Sequence, residues 1–228
     1  MTNPMAAVFD KYDTDKNSSW HDYPRFYHRY LEPYTRRPGL RYLEIGVWRG
    51  ESLRAFREYF HLADRLVGID IDGDTKRYEN GVDTYVEIGD QADAAFLTGV
   101  HEKHGPFDVI LDDGSHREPD VVASFETLFP LLRDGGVYVV EDSVCIRDDL
   151  RYFHSLTRHL NKKNDDWCVD PAKIHIDVDD PIERSVGDIV FTNSAILIHK
   201  CDKPHWALSR YQIREGATDS TDSTAISV

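Results

Sequence analysis

The chain has few cysteines, a deficit of basic residues and no long apolar run. Its three cysteines, Cys145, Cys168 and Cys201, are an odd number without C-x-x-C spacing, which argues against a disulfide framework and a cysteine-based zinc site. Only 27 basic residues stand against 41 acidic ones, and the net charge of -14 disfavours binding to nucleic acid or to anionic membranes. No apolar stretch is long enough to span a bilayer, and the N-terminus lacks the pattern of a signal peptide. We therefore expect a cytoplasmic protein that binds neither nucleic acid nor membrane.

Short apolar runs alternate with helical stretches through most of the 228 residues, a length that allows one domain with a sizeable core. This alternation predicts an α/β fold, in which a mostly parallel sheet carries helices on both faces. The predicted strands are 41–45, 65–69, 84–88, 107–111 and 136–140. The predicted helices are 51–60, 91–103, 118–132 and 147–161. The segments between successive predicted strands are long enough for the helical crossovers of β-α-β units.

Both ends of the chain depart from this alternation. The stretch GDIVFTNSAILIHK places two apolar runs around Asn193-Ser194, which predicts a final antiparallel hairpin with a two-residue turn. Residues 174–178 fit either a strand or a loop edge. Before the first strand, tyrosines at helical spacing predict a helix that either packs on the sheet edge or forms a lid over a pocket. We expect an N-terminal helical or lid segment at 1–40, a domain at 41–213 and a mobile polar tail at 214–228.

The turn after the first strand has the sequence YLEIGVWRGESL, with the pattern E-x-G-x-x-x-G formed by Glu44, Gly46 and Gly50. Glycines at such a turn let the backbone approach a ligand, and the next helix offers free N–H groups. The spacing is not the G-x-G-x-x-G of dinucleotide sites, which disfavours a dehydrogenase. Glu44 would repel a pyrophosphate but is compatible with the cationic amino-acid end of S-adenosylmethionine.

Polar residues at the next two strand ends fit the rest of that cofactor. Asp70 ends the second strand, 24 residues after Gly46, where an acid would hold two ribose hydroxyls. Asp90 and Gln91 follow the third strand and offer hydrogen bonds to an adenine edge, although Asp90 is equally explained as a helix N-cap. In this order the residues indicate S-adenosylmethionine.

Residues from about 11 to 200 resemble a class I S-adenosylmethionine-dependent methyltransferase, a Rossmann-like sheet of seven strands with an antiparallel last strand. The segments KYDTDK, YLEIGVWRGESL, ILDDGSH and VYVVEDSV together resemble the metal-dependent macrolide sugar O-methyltransferases of the mycinamicin 2''-O-methyltransferase type, and more distantly the TylF and NovP group. The resemblance implies that D-G-S-H supplies the metal ligand Asp113 and the catalytic base His116. It implies that the E-D pair supplies two further ligands, Glu141 and Asp142.

The residues themselves allow this chemistry, because the carboxyl ends of neighbouring parallel strands meet at one edge of a sheet. Oxygen donors from Asp113, Glu141 and Asp142 select a hard cation such as Mg²⁺, provided that the last two lie beyond the strand. A nearby cation makes a hydroxyl more acidic, and His116 could then accept its proton. Asp112 could replace Asp113 as a ligand or contact the methionine part of the cofactor.

We therefore expect a Mg²⁺-dependent O-methyltransferase that acts on a hydroxyl of a small molecule, foremost a sugar unit in the biosynthesis of an antibiotic or another natural product. A catechol O-methyltransferase would have the same fold, and a non-catalytic cofactor-binding or assembly protein is the alternative from another class. Asp15, Lys16 and His21 are further candidates for the pocket. The aromatic-rich N-terminal helix is compatible with a homo-oligomer, either a dimer or a tetramer.

Overall fold

The computed structural model describes residues 3–146, 150–160 and 180–201, except for the side chains at positions 158 and 159. The undecided element at 174–178, the tail at 214–228 and the start of the helix predicted at 147–161 lie outside these residues.

Seven strands of the described residues form one sheet in the order β3-β2-β1-β4-β5-β7-β6. The first five strands are parallel, whereas β7 runs antiparallel to both β5 and β6. The strands are β1 (Leu40–Ile45), β2 (Ala63–Asp70), β3 (Thr84–Ile88), β4 (Val109–Asp112), β5 (Val137–Val140), β6 (Val186–Phe191) and β7 (Ile196–Lys200). The predicted parallel strands and the final antiparallel hairpin are confirmed. The backbone N–H of Thr192 donates to the carbonyl of Ala195 at 2.8 Å, so Asn193 and Ser194 alone make the turn.

Helices cover both faces of the sheet, together with a 3-10 helix at Gly73–Tyr78. They are α1 (Pro4–Phe9), α2 (Pro24–Thr35), α3 (Glu51–Tyr59), α4 (Ala94–His104), α5 (Glu118–Leu128), α6 (Arg151–Ser155), α7 (Thr157–Leu160) and α8 (Pro181–Ser185). Three predicted helices need correction. The helix expected from 91 starts at Ala94 because Asp93 caps the N–H groups of Ala95 and Phe96. The helix expected to reach 132 ends at Leu128, shortly before Pro130. The helix expected at 147–161 is interrupted between α6 and α7.

Successive residues of the central strands point into two separate apolar clusters. In β1, Tyr42 belongs to the cluster beneath α1, α2 and α3, whereas Leu43 belongs to the cluster on the opposite face with Leu97 and Phe125. A strand buried on both faces explains why these segments read as continuous apolar runs. Helix α2 is part of the first cluster, in which Tyr27 is fully buried. The N-terminal segment is therefore packed against the sheet, and its first turns reach the carboxyl ends of the strands.

Among the described residues, we find no helix with both the length and the apolar character that crossing a membrane requires.

Candidate functional site

A cavity of about 540 Å³ lies at the carboxyl ends of the parallel strands. Each of these five strands, or the turn that follows it, contributes to the lining through Gly46, Asp70, Gln91, Asp113 and Asp142. The cavity thus occupies the edge at which open α/β sheets bind their ligands.

The two glycines of the first turn are required by close contacts. Gly46 has φ +92°, and a Cβ at this position would lie 2.1 Å from the carbonyl oxygen of Asp113. Gly50 has φ +71°, and a Cβ there would lie 2.6 Å from the ring of Tyr78. Both conformations are unfavourable for other residues. The turn can therefore lie directly against the residue that follows β4 and against the 3-10 helix.

Asp70 lines the cavity and also fixes the first turn. Its Oδ2 accepts hydrogen bonds from the backbone N–H groups of Val47 at 2.8 Å and Trp48 at 2.9 Å, and its Oδ1 accepts one from Asp72 at 2.9 Å. These three bonds hold the carboxylate at the cavity wall.

Asp90 and Gln91 both line the cavity, but neither caps a helix. Asp90 Oδ1 accepts from the backbone N–H of Ala92 at 2.8 Å. Gln91 Oε1 accepts from the backbone N–H of Ser115 at 2.7 Å, while its Nε2 donates to Asp112 Oδ1 at 3.1 Å. Gln91 therefore connects the turn after β3 to the D-G-S-H turn.

Asp112 is the last residue of β4 and Asp113 follows it, and their side chains point to opposite sides, as those of successive residues in extended backbone do. Asp112 is buried, is not among the residues that line the cavity, and accepts hydrogen bonds from Ser124 Oγ at 2.5 Å and Tyr138 Oη at 2.9 Å. Burial raises its pKa to about 6, against the opposing effect of these hydrogen bonds. Asp112 is thus a buried partner of α5 and β5, while Asp113 faces the cavity.

Asp113, His116 and Asp142 converge on the cavity, and one ligand atom from each lies within 4.8 Å of the others. His116 Nε2 is 3.9 Å from Asp113 Oδ1 and 3.7 Å from Asp142 Oδ2. His116 and Asp142 have φ values of +53° and +48°, which are uncommon for residues other than glycine and concentrate at functional sites. Strand β5 ends at Val140, so the E-D pair lies beyond the strand, the condition under which both residues can serve one site.

Glu141 does not belong to this group and pairs with Lys16 instead. Glu141 Oε2 lies 2.7 Å from Lys16 Nζ, which also lies 2.5 Å from Asp113 Oδ2. The Glu141 and Lys16 side chains are only 0% and 2% exposed, and the Glu141 carboxylate also interacts with the hydroxyl of Tyr27. Burial holds the pKa of Glu141 well above its usual range, against the opposing effects of Lys16 and Tyr27. Burial lowers the pKa of Lys16, but Asp113 and Glu141 outweigh this effect and hold that pKa well above its usual range. Lys16 is therefore an ammonium ion buried in the acidic cluster.

Glu44 also lies near Lys16 and does not line the large cavity. It is fully buried, its Oε2 accepts a hydrogen bond from Tyr42 Oη at 3.2 Å, and its carboxylate also interacts with the side chain of Ser52. Burial raises its pKa to about 7, which the charge of Lys16 partly opposes. Of the candidate cofactor residues, Gly46, Asp70, Asp90 and Gln91 line the cavity, whereas Glu44, Gly50 and Asp112 do not.

The N-terminal segment contributes contacts that the local sequence pattern does not reveal. Tyr23 Oη donates a hydrogen bond to Asp142 Oδ1 and lies 3.0 Å from Ser194 Oγ. Asp15 lines the cavity, whereas His21 is exposed and stacks on Tyr23. The sequence signal for a contribution of the N-terminal segment to the site is the KYDTDK segment, which precedes Tyr23 and carries Asp15 and Lys16.

Comparison with known proteins shows that the chain is similar to methyltransferases. Residues 43–143 match the family described as a methyltransferase domain. Demethylmacrocin O-methyltransferase of Streptomyces fradiae is 40% identical over 145 residues, which are 60% of this chain and 36% of that protein. Mycinamicin VI 2''-O-methyltransferase of Micromonospora griseorubida is 37% identical over 60% of this chain and 35% of its own length. The chain thus spans about a third of the length of these curated relatives.

A solved structure gives the same result. The MycE methyltransferase from the mycinamycin biosynthetic pathway, in complex with Mg, SAH and mycinamycin VI, superposes with a TM-score of 0.74 at 26% identity, over 87% of this chain and 53% of that one. The fold is therefore the Rossmann-like class I methyltransferase fold. The resemblance to the macrolide sugar O-methyltransferases, predicted from four short segments, is confirmed.

Proposed function

We propose that the protein is an S-adenosylmethionine-dependent, Mg²⁺-dependent O-methyltransferase that acts on a hydroxyl of a small molecule, specifically a sugar unit of a natural product. The observation that carries this proposal is the convergence of Asp113, His116 and Asp142 on a cavity bounded by the glycine turn. Similar proteins whose names give an olivosyl or rhamnosyl compound as the substrate of O-methylation support the acceptor class.

For the cofactor, the residues along the cavity wall form a suitable cradle. The backbone at Gly46 has no side chain in the way, and Asp70, Asp90 and Gln91 present oxygen and nitrogen atoms at the wall. We assign cofactor contacts to these four residues. Gly50 shapes the turn, and Glu44 and Asp112 support the turns from behind.

For the metal, the donor set fits a hard cation because it consists of carboxylate oxygens with one imidazole beside them. Asp113 and Asp142 would hold Mg²⁺, and Glu141 would join them where Lys16 releases it. Mg²⁺ supplies a local positive charge that makes a neighbouring hydroxyl more acidic. His116 would accept the proton of that hydroxyl at Nε2 as the oxygen takes the methyl group from the sulfonium of S-adenosylmethionine, whose S–CH₃ bond breaks and which leaves as S-adenosylhomocysteine. Asp142, 3.7 Å from His116, would favour the imidazolium that forms. The cavity would contribute further by holding the acceptor oxygen in line with the methyl group and the sulfur of the cofactor.

The decisive experiment combines cofactor binding with product analysis. Calorimetry should show that the full chain binds S-adenosylhomocysteine. Incubation with S-adenosylmethionine and a library of glycosides and catechols should add one methyl group to a glycoside, seen by mass spectrometry, in Mg²⁺ but not in EDTA.

The replacement D142N should abolish the reaction, whereas D64N, at an exposed aspartate paired with Arg41, should leave it unchanged. Absence of S-adenosylhomocysteine binding, or activity that survives EDTA, would contradict the proposal. Methylation of catechols alone would identify the rival acceptor class, and cofactor binding without any product would favour a non-catalytic protein.

We further propose that the N-terminal segment at 1–40 and the cofactor-binding domain at 41–213 form the working unit, that it acts in the cytoplasm, and that it assembles as a dimer or tetramer. Sedimentation equilibrium of the full chain measures its mass in solution, and a monomer at micromolar concentration would contradict the proposed assembly.

A further inference from the structure

The ammonium group of Lys16 lies inside the acidic cluster that the proposed metal would use. It contacts Asp113 Oδ2 at 2.5 Å and Glu141 Oε2 at 2.7 Å, and Asp15 Oδ1 lies 3.7 Å away. The backbone N–H of Lys16 donates a hydrogen bond to Thr14 Oγ1 at 3.3 Å, which stabilises the turn that carries Lys16. The Lys16 side chain is only 2% exposed and contacts two carboxylates, so its positive charge is part of the site.

Asp113 divides the cluster into two sides. Its Oδ2 faces Lys16 and Glu141, whereas its Oδ1 faces His116 Nε2 at 3.9 Å. The candidate metal-ligand group of Asp113, His116 and Asp142 lies on the side of Asp113 Oδ1. Glu141 is on the first side, where its Oε2 pairs with the ammonium and its carboxylate also interacts with the hydroxyl of Tyr27. The lysine thus occupies carboxylate oxygens that a metal would otherwise take.

The charges of the cluster support the same conclusion. Asp113, Glu141 and Asp142 carry three negative charges when ionised, and buried carboxylates without compensation are strongly disfavoured. Lys16 supplies one positive charge, and a divalent cation supplies the other two. With Lys16 present, one divalent ion balances these three carboxylates, and Asp15, whose Oδ1 lies 3.7 Å from Lys16 Nζ, is a fourth carboxylate beside them. Without Lys16, the same ion would meet a site with one more negative charge and no competing cation.

We propose that Lys16 is a resident counter-cation that holds Asp113 and Glu141 in place before metal binds and competes with the divalent cation for these two carboxylates. The proposal rests on the proposed function, because it takes Mg²⁺ as the ion that binds here. Lys16 is in this sense a positioning residue that sets metal affinity, and it takes no part in the proton transfer.

The test compares K16M with the unaltered chain and with K11M. Methionine keeps the length and apolar stem of lysine but removes the charge. Lys11 belongs to the same N-terminal segment, but its side chain is 57% exposed and pairs with Glu58 outside the cluster. Each full-length protein is titrated with MgCl₂ by calorimetry in the presence of S-adenosylhomocysteine, and its thermal unfolding is recorded in EDTA and in Mg²⁺.

Competition predicts that K16M binds Mg²⁺ about tenfold tighter than the unaltered chain, since removal of a neighbouring positive charge strengthens the attraction of the carboxylates for a dication. It also predicts that K16M unfolds at a lower temperature in EDTA and gains more from Mg²⁺. K11M should match the unaltered chain in Mg²⁺ affinity within a factor of two. Equal or weaker binding by K16M would overturn the proposal.

A measurement on the unaltered chain covers the case in which K16M does not fold in EDTA. In a ¹⁵N-lysine-labelled sample, the Nζ resonance of Lys16 should change during the Mg²⁺ titration with the midpoint of metal binding, and an unchanged resonance at saturation would overturn competition.

If the unaltered chain binds Mg²⁺ and K16M binds it no tighter, the competition fails while the proposed function stands. If only K16M binds Mg²⁺, competition holds and the metal dependence in the proposed function fails. If neither binds, both fail.

Discussion

The hydroxyl of Tyr23 donates a hydrogen bond to Oδ1 of Asp142, 119 residues further along the chain. The same hydroxyl accepts a hydrogen bond from the backbone N–H of Asp142 at 3.3 Å. Asp142 has a left-handed backbone conformation, which costs free energy for a residue other than glycine. The tyrosine at the start of α2 therefore stabilises both the side chain and the backbone of a proposed metal ligand.

Replacing this tyrosine, Y23F, should weaken Mg²⁺ binding. A hydrogen bond to a carboxylate contributes about 1 to 2 kcal/mol when it restrains the charged form, which corresponds to a five- to thirtyfold increase in Kd. The ring itself remains, so the stacking of Tyr23 on Tyr27 is preserved. Calorimetric titration with MgCl₂ measures the change. Y30F, on the same helix but away from Asp142, is the control and should bind Mg²⁺ normally; equal affinities for Y23F and Y30F would show that the contact does not hold the ligand.

Replacing the proposed base, H116A, should lower the rate of methyl transfer by about 100- to 10,000-fold while S-adenosylhomocysteine binds with nearly unchanged affinity. The reason is that His116 supplies a proton acceptor beside Asp142 but does not shape the glycine turn. Single-turnover kinetics with the identified acceptor give the rate, and calorimetry gives the binding. H61A, at an exposed histidine between α3 and β2, is the matched control. A rate for H116A within a factor of three of the H61A rate would rule out His116 as the base.

The strands and the approximate position of the site could be predicted from sequence because they depend on local pattern. Each central strand is buried on both faces and reads as an apolar run, and the carboxyl ends of parallel strands must meet at one edge. These two rules bring Asp113 and Asp142 together without any knowledge of distant contacts. The helix starting at Ala94 was misplaced because two aspartates, Asp90 and Asp93, are both suitable caps, and only Asp93 bonds to the helix.

The arrangement around Glu141 could not be predicted in the same way. Lys16 reaches Asp113 across 97 residues, and no periodicity or spacing relates these two positions. The distinction between Asp112 and Asp113 has a similar origin. Their side chains must point to opposite sides of β4, but which side meets the cavity depends on how the N-terminal segment and α5 pack.

The close contact at Gly46 predicts that G46A destabilises the protein. An added Cβ would meet the carbonyl oxygen of Asp113 at 2.1 Å, and φ +92° is strained for alanine, so we expect the free energy of unfolding to fall by about 2 kcal/mol or more. Urea unfolding followed by circular dichroism measures this value. Gly99 in α4 has open space around its Cβ position, and G99A should increase the free energy of unfolding by about 0.5 to 1 kcal/mol. Equal effects of the two replacements would contradict the contact at Gly46.

The buried carboxyl of Glu44 predicts a specific dependence of stability on pH. Burial raises its pKa from the ordinary 4.5 to about 7, so between these values the folded protein binds more protons at this group than the unfolded chain does. The free energy of unfolding therefore falls as pH rises through this interval, by about 3 kcal/mol in total from this one group. Glutamine does not titrate, and E44Q should lose this contribution.

The measurement is the difference in the free energy of unfolding between E44Q and the unaltered chain, taken in EDTA at several pH values. The other carboxyl groups titrate in both proteins and largely cancel in the difference. E44Q should gain stability relative to the unaltered chain steadily from pH 4.5 to 7, because only the unaltered chain must bury a charge as the proton leaves. E126Q, at an exposed position of α5, should give a difference that does not vary with pH. A flat difference for E44Q as well would mean that Lys16 fully compensates the Glu44 charge and that its pKa is not raised.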